Sequence, residues 1–236
     1  MSARFAELAW SDTRMGTVSL RRRREPALDI DVYEVKLGDE YLMSSLFTVA
    51  EIELARLGLA ELTGDHLDVV VGGLGLGYTA QAVLDDPRVD SLTVVEALGA
   101  VIDWHRRDLL PDTAGLAAEP RTRLVEDDFF ARVNAGEDLD AGRAGRGYDA
   151  VLVDIDHSPR HVLDPSHTTF YTPAGLRRLT QLLQPGGVFA LWSDDPPDSD
   201  FGSVLTEVFT STAAHVVTFA NPLTGGESAN TVYVAR

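Results

Sequence analysis

Cysteine is absent from the 236-residue chain. That excludes disulfides, Cys-ligated zinc, iron–sulfur clusters and thiol catalysis. No apolar run approaches the roughly 20 residues that span a membrane. The opening stretch MSARFAELAWSDTR lacks the apolar segment of a signal peptide, so the expected setting is cytoplasmic, with no membrane partner. No G-x-S-x-G serine and no phosphate-binding G-K-[ST] occurs, which disfavours a hydrolase or an NTPase. Basic residues are the minority: 20 Lys plus Arg against 37 Asp plus Glu, for a net charge of −17. Such a surface repels phosphate backbones and argues against nucleic-acid binding. It keeps the chain soluble, or it steers a cationic substrate. The histidines show no metal-ligand spacing: His161 and His167 share a loop, and His66, His105 and His215 are scattered.

What is present describes a globular α/β chain. Hydrophobic residues make up 44%, with ordinary Gly (20) and Pro (11). Residues 16–22 and 29–36, then Tyr41–Leu42–Met43, read as a small antiparallel β appendage of two or three strands. Arg21–Arg24 lie inside it, and strand alternation prevents them from forming one patch. Residues 46–60 carry a helical stripe of Leu46, Val49, Ile52, Leu54 and Leu57. Strands are then expected at 67–71, 91–96, 123–125, 148–154 and 188–192. Helices are expected at 78–84, 100–107, 170–183 and 201–209. Two final strands, 214–219 and 231–234, are joined too closely for a crossover and should pair antiparallel at the sheet edge. The expected fold is a doubly wound, mainly parallel sheet of seven strands. The expected division is 1–45 for the appendage and 46–236 for the larger domain. Asn134–Arg146 reads as a polar surface loop.

The strand Leu67–Val71 runs into GGLGLG, Gly72 to Gly77, and then directly into a helix. Glycines there let the backbone approach a nucleoside at the strand ends. Glu96, 19 residues after Gly77 at the end of the next strand, is placed to accept both ribose hydroxyls. The alternative is a solvated strand-end carboxylate.

Gly73, Gly75 and Gly77 have G-x-G-x-G spacing, which resembles motif I of class I S-adenosylmethionine (SAM) methyltransferases rather than the dinucleotide fingerprint. Glu126–Asp127–Asp128 follows the third strand, where that resemblance implies an acid for the adenine amino group. Within that superfamily, VVVGGLGLGY, LTVVEALGAVIDW, RLVEDDFF, YDAVLVDIDHSP, FYTPAGLRRLTQLLQPGGVFALW and NPLTGGESANTVYVA resemble the spermidine synthase (aminopropyltransferase) family. The resemblance runs from about residue 16 to 236. It implies a SAM-dependent transferase that self-associates as a dimer or tetramer. It also implies cofactor contacts at Gly73, Gly75, Gly77, Glu96, Asp127 and Asp128.

Three departures bear on the reaction. The family's GGGDG loop carries an Asp that helps hold the aminopropyl amine, and Gly75 stands in its place here. The family's Tyr-His-Glu segment is absent, and Tyr41–Ser45 occupies that region. The family's DSSDP loop reads Asp154–Ile155–Asp156–His157–Ser158–Pro159, with the second Asp displaced by one residue.

Asp154 is the first candidate for orienting or deprotonating an acceptor, followed by Asp156 and His157. Asp194 and Asp195, after the fifth strand, could converge with Asp154 and Asp156 and bind an ammonium group or Mg²⁺, the alternative being a polar loop alone. The D-x-D-H-S string also looks like that of some Mg²⁺-dependent sugar O-methyltransferases. Trp192 and Tyr171 are candidates for an aromatic wall against a cation, or for core packing. The expected donor is SAM or decarboxylated SAM. Methyl transfer to a small, cationic acceptor is favoured, because no loop acid remains and backbone N–H groups at the next helix favour a carboxylate. Aminopropyl transfer is the alternative, and so is a catalytically silent nucleoside-binding oligomer.

Overall fold

The computed structural model describes residues 4–143 and 145–236. Residues 1–3, where the leader expectation begins, and residue 144, inside the expected loop Asn134–Arg146, lie outside the described residues.

Two sheets build the chain. The first is a four-stranded antiparallel meander of β1 (Phe5–Thr13), β2 (Gly16–Glu25), β3 (Ile30–Leu37) and β4 (Glu40–Ser44). It has one strand more than the sequence pattern indicates. β1 hides because its pairing with β2 shifts register between Glu7 and Ala9, which breaks the alternation of its side chains. The four arginines of β2 are committed within the sheet. Arg23 pairs with Glu34 at 2.6 Å and Glu25 at 2.7 Å, Arg24 pairs with Asp29, and Arg21 stacks over Phe5.

The second sheet has seven strands: β5 (Leu67–Gly72), β6 (Val89–Glu96), β7 (Thr122–Glu126), β8 (Tyr148–Val153), β9 (Leu183–Ser193), β10 (Thr212–Asn221) and β11 (Gly226–Ala235). Their order is β10-β11-β9-β8-β5-β6-β7. β5 to β9 pair in parallel, and β11 enters antiparallel between β9 and β10, as the short connection required. The helices are α1 (Val49–Ala60), α2 (Tyr78–Leu84), α3 (Gly99–Arg106), α4 (Phe129–Ala135), α5 (Pro173–Thr180) and α6 (Ser199–Val208). Alternation along β5 divides the core between the two faces. Val69 and Val71 pack with Leu54 and Leu59 of α1 and Ile102 of α3. Val70 packs with Phe130 of α4, Leu176 of α5 and Leu205 of α6. A strand buried on both faces is why this stretch reads as a continuous apolar run.

Three local expectations change. The helix expected at 170–183 is shorter. Thr172 caps it through Gly175 N–H and Pro173 occupies its first turn, so Phe170 and Tyr171 precede it. Pro185–Gly186–Gly187 lies inside β9, as an excursion between the pairs Tyr148–Leu183 and Ala150–Val188, with Gly186 at φ 80°. The loop Asn134–Arg146 is not wholly a solvated surface. Asn134 and Ala135 finish α4, and Leu139 and Asp140 are buried. No helix among the described residues is long and apolar enough to cross a membrane.

Candidate active site

The C-terminal ends of β5, β6, β8 and β9 open into one cavity of about 630 Å³. This is the edge where open α/β sheets place ligands. β4 covers it from one side with Leu42 and Met43, and the β10–β11 hairpin reaches over it with Asn221 and Asn230.

At one end lies the glycine loop. Gly73 and Gly75 line the cavity with φ of 92° and 46°, values that favour glycine. A Cβ at Gly73 would meet the Asp154 carbonyl, so the loop sits hard against the end of β8. Gly77 does not line the cavity. It turns the chain into α2 at φ 88°, packed on His105. His105 is buried and clamps the loop from behind, Nε2 to the Gly75 carbonyl at 2.9 Å, and burial depresses its pKa. Thr113 adds a hydrogen bond to the Leu76 carbonyl at 2.9 Å. Leu76 N–H, one of the groups expected to meet a donor carboxylate, is engaged by Met43 Sδ.

Glu96 closes this end. Its carboxylate accepts from Leu74 N–H at 2.9 Å and Leu98 N–H at 2.8 Å. Burial pushes its pKa up, against the pull of these backbone donors. The backbone N–H groups of Gly75 and Ala97 also act on this carboxylate, which lines the cavity. The two acids after β7 separate. Asp128 lines the cavity and caps α4 through Ala131 N–H at 2.9 Å. Asp127 does not line it, because Arg132 holds its carboxylate and keeps its pKa low. Phe129 and Phe130 line the same end. Sequence reasoning passed over these two aromatics, although they directly follow the acids.

The other end is acidic. Asp154 accepts from the Thr79 hydroxyl at 2.6 Å, and burial pushes its carboxyl up to about 6. Asp194 lines the cavity and accepts from Asn230 Nδ2 at 2.7 Å. The third member, Glu51 of α1, was read only as part of an amphipathic helix. Burial, then the charge of Asp154, then that of Asp194 push it up to about 8. Trp192 stands beside this group, its buried indole N–H without a partner among the described residues. His157 lines the cavity wall, tied to Glu40 of β4 at 2.9 Å.

The convergence of four aspartates does not occur. Asp156 turns into the interior, where it accepts from Leu163 N–H, His167 Nδ1 and the Tyr171 hydroxyl, each at 2.8 Å. Tyr171 is therefore a core residue among Phe130, Phe170 and Phe201, not a cavity wall. Asp195 pairs with His161 at 2.9 Å outside the cavity. With Asp156 and Asp195 engaged elsewhere, the carboxylate set that would hold Mg²⁺ is not assembled. Among the described residues no three or more His, Asp or Glu side chains are placed to hold a metal ion together.

No family model matches the sequence. Over 129 residues, 54% of this chain, it is 31% identical to a polyamine aminopropyltransferase of Mycobacterium tuberculosis, covering 23% of that protein. Over 135 residues, 57% of this chain, it is 29% identical to putrescine N-methyltransferase 3 of Nicotiana tabacum, covering 32% of it. The matches thus span about a quarter to a third of these relatives' lengths. A solved spermidine synthase in complex with the transition-state analogue AdoDATO superposes with a TM-score of 0.73 and 17% identity, over 97% of this chain and 73% of that one. The chain is similar to a polyamine aminopropyltransferase in sequence over about half its length, and to a spermidine synthase in fold over nearly all of it.

Proposed function

We infer that the chain is a SAM-dependent transferase that moves an alkyl group, methyl in preference to aminopropyl, onto the nitrogen of a small cationic amine. The observation that carries this reading is the shared cavity: a glycine loop with Glu96 at one end, and Glu51, Asp154 and Asp194 at the other. The first end fits a nucleoside. Glu96 is aimed for the ribose, and Asp128 with Phe129 and Phe130 offers an acceptor and a flat apolar wall for the base. The second end fits an ammonium group, which carboxylates and an aromatic face both attract. The relatives include an aminopropyltransferase and a putrescine N-methyltransferase, and the polyamine chemistry in both names agrees with an amine acceptor.

A bound sulfonium donor supplies an electrophilic carbon and a neutral thioether leaving group. The chain must present an uncharged nitrogen in line with that carbon and take up its proton. Asp154 is suited to this. Its pKa of about 6 leaves it mostly ionised at neutral pH yet more basic than an ordinary aspartate. The N–C bond forms as the C–S bond breaks, and the proton goes to Asp154. Asp194 and Glu51 hold a second positive charge, if the acceptor has one. Self-association as a dimer or tetramer belongs to the same reading, and exposed Phe5, Trp10 and Ile30 on the small sheet give it an apolar face.

Incubation with either donor and a short diamine, followed by mass spectrometry, tests the reading. The expected products are a methylated diamine and S-adenosylhomocysteine, with SAM bound at least as tightly as decarboxylated SAM. Tenfold tighter binding of decarboxylated SAM, about 1.4 kcal/mol, together with methylthioadenosine formation, would restore aminopropyl transfer. Asp194 would then provide an anion from across the cleft. SAM bound without any product marks the silent alternative. In the same titration Glu96→Ala should weaken SAM by on the order of 1–3 kcal/mol, because it removes charge-assisted hydrogen bonds to the ribose. Unchanged affinity would take Glu96 out of the site.

A further inference from the structure

Gly75 turns the glycine loop with a φ of 46°, a left-handed value that Asp and Asn tolerate better than bulkier residues. Backbone conformation and occupied space both weigh against a side chain there. Cε and Sδ of Met43 occupy the space that a Cβ at Gly75 would enter. Met43 comes from β4, in the other sheet, and its Sδ accepts Leu76 N–H at 2.9 Å. Gly75 and Leu76 are thus fastened from behind by His105 and Thr113 and faced from β4 by Met43. Met43, Gly75 and Glu96 line the same cavity. A thioether is a weak acceptor, polarizable and uncharged. It covers the loop without bringing an anion to it.

We propose that Met43 is the donor-specificity residue of this chain: it fills the volume beside Gly75 in which an anionic side chain would meet the donor's amino-acid tail. The proposal rests on the transferase reading above. A carboxylate in that volume attracts the tail ammonium and repels a tail carboxylate. SAM carries both groups, and decarboxylated SAM carries only the ammonium. A neutral thioether removes the repulsion, so the carboxylate of SAM is accepted.

Titration of both donors against the wild-type chain, Met43→Glu and Met43→Gln decides the matter. Met43→Glu should move the affinity ratio toward decarboxylated SAM by at least about tenfold, while the uncharged Met43→Gln stays within about threefold of wild type. A Met43→Glu chain that binds donor with the wild-type ratio overturns the proposal. Thermal unfolding reads the packing without donor. Gly75→Asp should melt well below wild type, and adding Met43→Ala should recover the part of the loss due to the filled volume, the strain of the positive φ remaining. Gly75→Asp melting with the wild type would show that Met43 does not hold that volume, and would overturn the proposal equally. If the wild-type chain binds neither donor, the transferase reading fails and takes this one with it. Normal wild-type binding with an unmoved ratio sinks only the role of Met43.

Discussion

Asp154→Asn is expected to lower turnover by at least about 100-fold, the usual scale for loss of a general base, with donor affinity changed by no more than a few fold. The substitution keeps the shape of the side chain and its hydrogen bond from Thr79, but removes the proton acceptor. The wild-type pH profile should carry the same signature. Burial raises Asp154 to about 6, so the ionised, base-competent form accumulates as pH rises through that value, and kcat/KM should climb there. Acceptor binding should keep improving toward about 8, where Glu51 ionises. A bound cation favours both ionised forms, so binding near neutral pH should release protons, measurable by calorimetry in buffers of different ionisation enthalpy. Asp154→Asn should erase the lower limb, and Glu51→Gln the upper one. Full activity in Asp154→Asn would pass the base role to His157, which lines the cavity wall in the same loop.

Asp156→Ala is expected to act on folding rather than chemistry. The carboxylate is buried beneath the loop after β8 and gathers Leu163 N–H, His167 and Tyr171. Its removal leaves two buried donors and one half-buried donor without their acceptor, at about 1–3 kcal/mol for each buried one left unsatisfied. Partial relaxation brings the expected total to about 3–5 kcal/mol. For a chain of this size that is a melting temperature lower by about 10 °C. Asp156→Asn keeps an acceptor oxygen and should lose much less. A chain with Asp156→Ala that melts with the wild type yet fails to turn over would return Asp156 to the chemistry, where its place in the D-x-D string first put it.

The larger sheet was legible because its strands are short apolar runs between glycine-rich turns. β5 and α2 fall within a residue of their expected limits. β1 and α4 were not. A register shift scrambles the alternation of β1, and α4 begins inside the acidic DDFF stretch, which reads as a motif rather than a helix start. The site was half legible for a similar reason. Gly73, Gly75, Glu96, Asp154 and Asp194 sit at strand ends, where topology alone fixes which edge they face. Loop residues escape that rule. Asp156 and Asp195 stand one position from cavity residues, and a single residue in a loop is enough to turn a side chain from the cavity toward the interior or another surface. Glu51 and Met43 escaped because each reaches the site from an element read only for its packing.

The cover over the cavity has a consequence for the order of events during synthesis. Its walls come from Met43, before the glycine loop, and Asn230, far after it, and β11 must slide in between β9 and β10. A nascent chain that has folded through the glycine loop, Glu96 and Phe130 already holds the end proposed for the nucleoside, but that end lies open to water. The end proposed for the acceptor waits for residues made later, because Asp194 takes its partner from β11. Pairings this distant in sequence form late. A chain stopped before β11 would therefore hold the end proposed for the nucleoside without the wall that closes the cavity.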